Sequence, residues 1–231
     1  MLSVGHMVDA AANGLAIEAE HITKRFKRHQ VLDQVSIQVP RGTAAVVQGA
    51  NGAGKTTLLR ILATVVTADS GSAHVAGFDI RREAGHVRAQ IGVAFVNERS
   101  IFWRLNALEN LFLFAATRGV PPNQRRPQIR AIAEELGMTH FLTQRISELS
   151  TGQRQRIILA RAALGDPEVL LIDEPLRGLD ETGVEAALGF IRRRIDTGAG
   201  ALIAAPTVTE FRGRGFSLFR LVDGRLTLDQ W

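Results

Sequence analysis

The feature that most constrains the fold of this chain is a glycine-rich segment between an apolar run and a predicted helix. Residues 43–47 form the apolar run, which predicts a strand buried on both faces. The segment that follows matches the pattern G-x-x-x-x-G-K-[ST], and a helix is predicted from about residue 55 to residue 64. A strand, a glycine-rich turn and a helix in this order are typical of a phosphate-binding loop, or P-loop.

The residue types of this loop suit the chemistry of a phosphate. Glycines let the backbone curl so that its N–H groups face inward, and the start of the helix adds a favourable dipole. Lys55 is predicted to reach the outer phosphates, and the Thr56 hydroxyl is predicted to hold Mg²⁺. The residues predicted to bind the nucleotide are Gly49, Ala50, Asn51, Gly52, Ala53, Gly54, Lys55, Thr56 and Thr57.

A second apolar run, over residues 169–172, ends in the two acidic residues Asp173 and Glu174. A P-loop needs a carboxylate from another strand to hold its metal ion, and Asp173 is predicted to do so through water. Glu174 points elsewhere because side chains alternate along a strand. It is predicted to polarise the water that attacks the terminal phosphate, as a catalytic residue.

Other patterns complete a fold prediction. Residues 15–21 and 35–39 alternate apolar and polar side chains, which predicts an antiparallel edge sheet joined by a basic turn over residues 25–30. Residues 201–205 predict a further strand of a parallel core sheet, and residues 87–165 read as mostly helical. We therefore predict an α/β P-loop NTPase with a parallel core sheet, an antiparallel β edge subdomain and an inserted helical subdomain.

The predicted domain organisation is simple. Residues 1–13 are expected to form a flexible leader, and the rest of the chain, residues 14–231, a single nucleotide-binding domain. Within that domain, residues 14–86 and 166–231 are assigned to the core with its antiparallel β subdomain. Residues 87–165 are assigned to the helical subdomain.

Composition narrows the class of protein. No apolar run approaches the roughly 18 residues that cross a bilayer, the first residues lack the pattern of a secretory signal, and the chain has no cysteine. We therefore expect a cytoplasmic protein without disulfides or thiolate metal sites. The formal charge of +5 comes from basic residues that are scattered rather than interleaved with aromatic ones. A solvated basic surface is favoured, and nucleic-acid binding is not expected.

Two further segments carry a family resemblance. Residues 149–153 read Leu-Ser-Thr-Gly-Gln, which is similar to the LSGGQ signature of ABC (ATP-binding cassette) ATPases, with Thr151 in place of the first glycine. The alternative is an ordinary helix start, because Ser and Thr cap helices well. Residues 177–180 read Arg-Gly-Leu-Asp and resemble the D-loop of that family. Since P-loop, signature, acidic strand and D-loop occur in the family's order, the chain resembles the ATP-binding subunit of an ABC transporter. The stretch over residues 97–105 is most similar to that of ABC-2 type exporters.

The resemblance implies an ABC ATPase core that binds ATP and Mg²⁺ at the interface of a head-to-tail dimer. The signature of one subunit, with Ser150, Gly152 and Gln153, is then expected to face the nucleotide held by the P-loop of the other. Asp180 of the D-loop is placed at the nucleotide by the same resemblance. Phe26 lies where the family has an aromatic residue that stacks on adenine, and the alternative is a packed hydrophobic residue.

Two positions depart from the family pattern. The resemblance places Asn97 at the Q-loop glutamine, with Glu98 as the alternative; Asn97 is thereby implied as both a metal-binding and a catalytic residue, with a shorter side chain. Pro206 stands where the family has its switch histidine, and proline has neither a side-chain donor nor an N–H. Losing one preorganised donor often costs on the order of 10²–10³ in rate. The site on this P-loop is therefore predicted to bind MgATP and to hydrolyse it slowly.

The resemblance also implies partners. A separate transmembrane permease is expected to dock beside the Q-loop, where Phe102 and Trp103 lie; the alternative is that both aromatic residues belong to the core of the helical segment. The second ATPase subunit is either another copy of this chain or a different ABC ATPase.

The resemblance further implies where this chain lies and what it does. It is expected on the inner face of the cell membrane, where it couples ATP hydrolysis to transport, here export. Alternatives are a catalytically degenerate partner in a heterodimer, or a regulatory ABC ATPase outside transport.

Overall fold

The computed structural model describes residues 14–95 and 101–229. The strands are β1 Leu15–Phe26, β2 His29–Pro40, β3 Ala44–Gln48, β4 Ser70–Val75, β5 Phe78–Asp79, β6 Ile91–Ala94, β7 Val169–Asp173, β8 Gly200–Ala205, β9 Ser217–Val222 and β10 Arg225–Leu228. The α-helices are α1 Lys55–Leu62, α2 Ala84–Gln90, α3 Ala107–Thr117, α4 Pro122–Glu135, α5 Thr151–Ala163 and α6 Glu181–Asp196. None of the helices in these ranges is long and apolar enough to cross a membrane.

The strands form two sheets. The larger is six-stranded in the order β10-β9-β3-β8-β7-β6, and its strands are parallel except for β10, which pairs antiparallel with β9. The smaller is four-stranded and antiparallel, in the order β2-β1-β4-β5. Helices α3, α4 and α5 are inserted between β6 and β7. The predicted fold class, with its parallel core, antiparallel edge sheet and helical insertion, is confirmed.

The central strands β3, β7 and β8 of the larger sheet are buried on both faces, which explains why they are almost entirely apolar. The strands β9 and β10 at one edge carry exposed polar residues. In β7, Leu170 and Ile172 pack into one apolar cluster with α3 to α6, whereas Val169 and Leu171 pack into the other with α1 and the smaller sheet. Because side chains alternate along a strand, Asp173 at the end of β7 lies on the side of α1. Because both faces of β7 are covered in this way, the Asp173 carboxylate points toward α1, the helix that follows the P-loop.

The structure differs from the predicted elements at several points. Ile91–Ala94 lies in the segment that was predicted as mostly helical, but it forms β6 at the edge of the core sheet. The helical prediction is wrong there because a four-residue apolar run directly after a helix has no period that separates strand from helix. The predicted basic turn is also narrower, since β1 ends at Phe26 and β2 begins at His29. The division into subdomains otherwise stays a prediction.

Gly92 in β6 lies in close contact with the inserted helix α5. A Cβ added there would lie 1.8 Å from the carbonyl oxygen of Ala162 in α5 and 2.8 Å from Cγ of Pro167. Both neighbours are fixed, one as helix backbone and the other as a proline ring. Only glycine therefore lets α5 rest on this strand.

We expect Gly92→Ala to lower the free energy of unfolding by about 1–3 kcal/mol, because the added methyl group must push α5 away from β6. Urea denaturation followed by circular dichroism measures the change. Gly85→Ala in α2 is the matched control, since its Cβ would meet nothing within 4 Å. Equal denaturation midpoints for the two variants would contradict the expectation.

Candidate functional site

The loop between β3 and α1 is held in its curled shape by glycines. Gly52 and Gly54 have φ values of +83° and +107°, in the region that favours glycine. A Cβ on Gly54 would lie 2.7 Å from the carbonyl oxygen of Val31 in β2, so no larger residue fits there. The predicted loop therefore forms between its two predicted elements and rests against the smaller sheet.

Lys55, the first residue of α1, is only 6% exposed. Its Nζ donates to the carbonyl oxygen of Gly49 at 2.6 Å and to that of Ala50 at 3.0 Å. Burial lowers the pKa of its ammonium group, while the nearby carboxylates of Glu174 and Asp173 act in the opposite direction. The charge of Lys55 is therefore held inside the loop and close to the two acidic residues.

The structure brings together the two described residues that were predicted to hold Mg²⁺. Thr56 Oγ1 donates to Oδ2 of Asp173 at 2.7 Å, although 117 positions separate them. Asp173 is 6% exposed; its burial raises the pKa of its carboxyl group, and the hydrogen bond from Thr56 opposes that shift. A hydroxyl and a carboxylate are hard oxygen ligands, which together with water and phosphate oxygens suit Mg²⁺.

Glu174 follows β7 in a backbone conformation that is uncommon for a residue with a side chain. Its φ is +46°, and its N–H donates to the carbonyl oxygen of Ala204 in β8 at 2.8 Å. Its own carbonyl oxygen accepts from Nε2 of Gln155 in α5 at 3.2 Å. The predicted catalytic residue is thus positioned by two elements, one in the core sheet and one in the inserted helices.

A cavity of about 210 Å³ lies beside Glu174 at the C-terminal ends of β7 and β8. Pro206, the first residue after β8, lines this cavity together with Glu174. Pro206, which the resemblance places at the switch-histidine position, therefore faces the same space as the predicted catalytic carboxylate. Other residues in its walls are Arg177, Thr207, Glu210 and Phe211.

The signature segment forms the N-terminus of α5. Ser150 is its N-cap: Oγ of Ser150 accepts from the N–H of Gln153 at 3.1 Å, and Oε1 of Gln153 accepts from the N–H of Ser150 at 2.8 Å. The segment therefore starts the helix with a capping box, a geometry that fits both the signature and an ordinary helix start. A Cβ on Gly152 would lie 2.4 Å from the carbonyl oxygen of Gly178, so the signature packs directly on the predicted D-loop.

A second cavity, of about 650 Å³, opens at this helix start and is lined by Ser150, Gly152, Gln153 and Asp180. Asp180 is the N-cap of α6, and its Oδ1 accepts from the N–H of Gly183 at 2.9 Å. That hydrogen bond keeps the pKa of the Asp180 carboxyl below its usual value. The structure therefore brings the predicted signature and D-loop residues to one surface.

Two residues that position neighbouring groups in this region, Gln155 and Arg156, were not predicted from the sequence. Gln155 is buried in α5 and holds the backbone of Glu174, as described above. Arg156 donates from Nη2 to Oδ1 of Asp180 at 3.0 Å and from Nη1 to the carbonyl oxygen of Leu136 at 3.2 Å. The signal that would have found Gln155 is a polar side chain on the apolar face of a helix.

Phe26 and Asn97 are two further residues that were predicted to belong to the site. Phe26 ends β1 and is 46% exposed, with Nζ of Lys24 at 5.2 Å from its ring centroid. This exposure does not support the alternative of a packed hydrophobic residue, and the adenine contact stays a prediction. Asn97 and its alternative Glu98 lie outside the described residues, so their roles also stay predictions.

Asp173→Asn tests whether the buried carboxylate serves ligand binding rather than stability. Because burial disfavours the ionised carboxyl group, we expect the melting temperature without nucleotide to stay the same or to rise by about 2–4 °C. The same variant is expected to lose the Mg²⁺-dependent part of the stabilisation by ATP.

Scanning fluorimetry with ATP, with and without Mg²⁺, measures both effects. Asp196→Asn is the control, since this carboxylate lies at the exposed end of α6 and is expected to keep the Mg²⁺-dependent shift. A large loss of stability in nucleotide-free Asp173→Asn would mean that the fold itself needs the carboxylate.

Comparison with known proteins gives the family. A family model described as ABC transporter matches residues 32–177. The ABC transporter ATP-binding protein NatA of Bacillus subtilis is 35% identical over 159 residues, which are 69% of this chain and 65% of NatA. The lipopolysaccharide export system ATP-binding protein LptB of Haemophilus influenzae is 34% identical over 196 residues, 84% of this chain and 81% of LptB. The chain thus spans slightly less than two thirds of NatA and most of LptB.

Solved structures agree with the fold. A structure of the ATP-binding subunit of an ABC transporter matches with a TM-score of 0.81 at 24% identity, covering 92% of this chain and 90% of that one. A dimeric bacterial ABC transporter cassette matches with a TM-score of 0.82 at 22% identity, covering 93% and 97%. Together with the matching family model and relatives, the P-loop, the capped signature helix and the acidic strand show that this chain belongs to the ABC transporter family, as one of its ATP-binding proteins.

Proposed function

We propose that this chain works as one half of a dimer that sandwiches MgATP, and that it couples ATP binding and hydrolysis to transport through a separate membrane permease. The observation that carries the proposal is the contact of Thr56 with Asp173, 2.7 Å long, beside the buried ammonium of Lys55. A metal-ligating hydroxyl, a carboxylate and a phosphate-binding cation meet there at one edge of the core sheet. This is the donor set that MgATP requires.

The placement of the signature supports the dimer. Among the described residues that line the 650 Å³ cavity at the start of α5, no P-loop residue occurs. A nucleotide held by the P-loop would then meet a signature from a second chain, arranged head to tail. The helix N-terminus at Ser150 and the N–H groups of its first turn would bind the terminal phosphate of that nucleotide. ATP would act as the link between the subunits.

Pro206 supports slow hydrolysis at the site built on this P-loop. It faces the cavity of Glu174, where it offers no hydrogen-bond donor to a terminal phosphate or to an attacking water. The signature of the same chain keeps its capped geometry. This combination favours a second candidate function, in which the chain is the degenerate subunit of a heterodimer and completes the active site of a histidine-bearing partner.

An exposed aromatic pair supports the permease contact. Phe102 and Trp103 are 50% and 37% exposed, which favours a docking surface over the alternative of core residues. The backbone of Phe102 is fixed by Asn110 of α3, whose side chain accepts from its N–H at 2.9 Å and donates to its carbonyl oxygen at 3.0 Å. The backbone of Phe102 is therefore held in place beside α3, at the surface of the inserted segment.

A permease contact would place the chain on the inner face of the cell membrane as a peripheral subunit. Relatives named for export, such as LptB, and for import, such as a spermidine/putrescine ATP-binding protein, are about equally similar to it. Cargo and direction thus follow from the permease. We propose export, because the segment over residues 97–105 resembles exporters of the ABC-2 kind.

Steady-state phosphate release tests the proposed ATPase activity. We expect the wild type to hydrolyse ATP on the order of 10²-fold more slowly than a histidine-bearing family member, and Pro206→His to raise the rate. Glu174→Gln supplies the blank. Ser217→His is the control, because it introduces the same side chain at an exposed position of β9 that does not line this cavity. Wild-type turnover as fast as that of the histidine-bearing enzyme would refute the slow site.

The double variant Phe102→Ala/Trp103→Ala tests the docking surface. We expect the fraction of the chain that stays with washed membranes of its source cells to fall severalfold, since hot-spot aromatics supply much of the binding energy of an interface. Titration calorimetry is expected to give unchanged ATP binding. Leu228→Ala, an exposed apolar residue on β10, is the control. Unchanged membrane association of the double variant would exclude the pair from the contact.

A further inference from the structure

The small cavity beside Glu174 is lined by a cationic side chain to which the proposed function gives no role. Arg177 lines this 210 Å³ space together with Glu174 and Pro206. We infer that the Arg177 guanidinium binds the terminal phosphate of the ATP held by the same chain, and so supplies the donor that Pro206 lacks. The inference rests on the proposed function, since it assigns a phosphate-binding residue to that same site.

The backbone fixes Arg177 close to the reacting groups. Its N–H donates to the carbonyl oxygen of Glu174 at 3.2 Å, which closes a turn of four residues. The Cα atoms at the two ends of such a turn are less than about 7 Å apart. The neighbours Glu174 and Gly178 both have positive φ values, +46° and +70°, so the turn has a defined shape.

Packing holds the turn from the other side. A Cβ on Gly178 would lie 3.0 Å from Cγ2 of Thr151, and Nε2 of Gln155 donates to the carbonyl oxygen of Glu174. Both contacts come from the first turns of α5. The backbone of the turn that carries Arg177 is therefore held by the core sheet and by the signature helix. The Arg177 side chain extends from this fixed position.

The guanidinium group is available for a ligand. Arg177 is exposed, and within residues 14–95 and 101–229 its side chain makes no hydrogen bond or ion pair. Other arginines of neighbouring helices are already bound: Arg156 pairs with Asp180, and Arg192 pairs with Asp196. An unpaired arginine beside a carboxylate that must stay free for water is suited to an incoming anion.

Glu174 and Glu210 also line the cavity, so its position, and not its net charge, points to phosphate as that anion. The cavity lies where β7 and β8 end, and β7 ends at Asp173, the partner of Thr56 in the predicted metal site. A guanidinium group has five N–H donors in a planar fork and binds phosphate oxygens in pairs. Placed at the terminal phosphate, it would offset the negative charge that builds on the equatorial oxygens during transfer. It would also distinguish ATP from ADP, which has no phosphate at that place.

Binding measurements test the inference without requiring turnover. In the Glu174→Gln background, titration calorimetry gives the dissociation constants of MgATP and MgADP. We expect Arg177→Ala to reduce the preference for ATP over ADP about tenfold while the ADP constant stays unchanged, because a charge-assisted hydrogen bond to the terminal phosphate is lost. Arg177→Lys is expected to recover part of the preference. Arg130→Ala, on the outer surface of α4, is the charge-matched control.

The possible failures are distinguishable. An unchanged ratio in Arg177→Ala, with normal ATP binding, would overturn the role of Arg177 and leave the proposed function intact. No MgATP binding by the parent protein would overturn both. A parallel loss of ATP and ADP affinity would also overturn the role, since it would mean a general disturbance of the site.

Pro206→His gives an independent check. Suppose that Arg177 and a histidine after β8 bind the same phosphate. Arg177→Ala is then expected to lower the ratio of the ADP to the ATP dissociation constant much less in the Pro206→His protein than in the parent. Interacting residues show such non-additive effects, whereas separate sites add. Full additivity of the two substitutions would place Arg177 elsewhere and overturn the inference.

Discussion

The burial of the central strands β3, β7 and β8 on both faces is the constraint on which the candidate site depends. It requires these strands to be apolar, so their polar side chains appear only where the strands end. Because the core strands are parallel, these ends meet at one edge, and there Asp173 of β7 reaches Thr56 of α1. The P-loop begins at the end of β3, Glu174 follows β7, and Pro206 follows β8. The P-loop, the predicted metal ligands and the cavity of Glu174 thus all lie at one sheet edge.

Stability and ligand binding are opposed at that edge. Burial raises the pKa of Asp173 and lowers that of Lys55, so both charged forms are disfavoured by their surroundings. The hydrogen bond from Thr56 and the contacts of Lys55 with loop carbonyls offset part of this cost. A bound nucleotide with its metal ion would supply the remaining compensation, since it brings opposite charges to both residues. The site is therefore built for its ligand rather than for the stability of the free chain.

The signature helix α5 contacts the segment that carries Glu174, the predicted catalytic residue, and the predicted D-loop that follows it. Gln155 of α5 donates to the carbonyl oxygen of Glu174, Arg156 pairs with Asp180, and Gly152 packs against the backbone of Gly178. Any movement of α5 would therefore be transmitted to the turn that carries Glu174 and Arg177. Since α3, α4 and α5 lie in one insertion that also presents Phe102 and Trp103, a partner bound at that surface would have a short structural route to the active site.

The amino-acid sequence by itself determined the fold class, the P-loop, the acidic strand and the capped signature, because these depend on local spacing and on strands buried on both faces. It also identified Pro206 as the residue after β8. Only the tertiary structure decided that Thr56 meets Asp173 and that Ile91–Ala94 is a strand. It also decided that Gln155 holds the backbone of Glu174 and that Arg156 pairs with Asp180. It alone placed Arg177 in a cavity with Glu174 and Pro206. These features arise from contacts between segments far apart in the chain, which local periodicity and spacing do not encode.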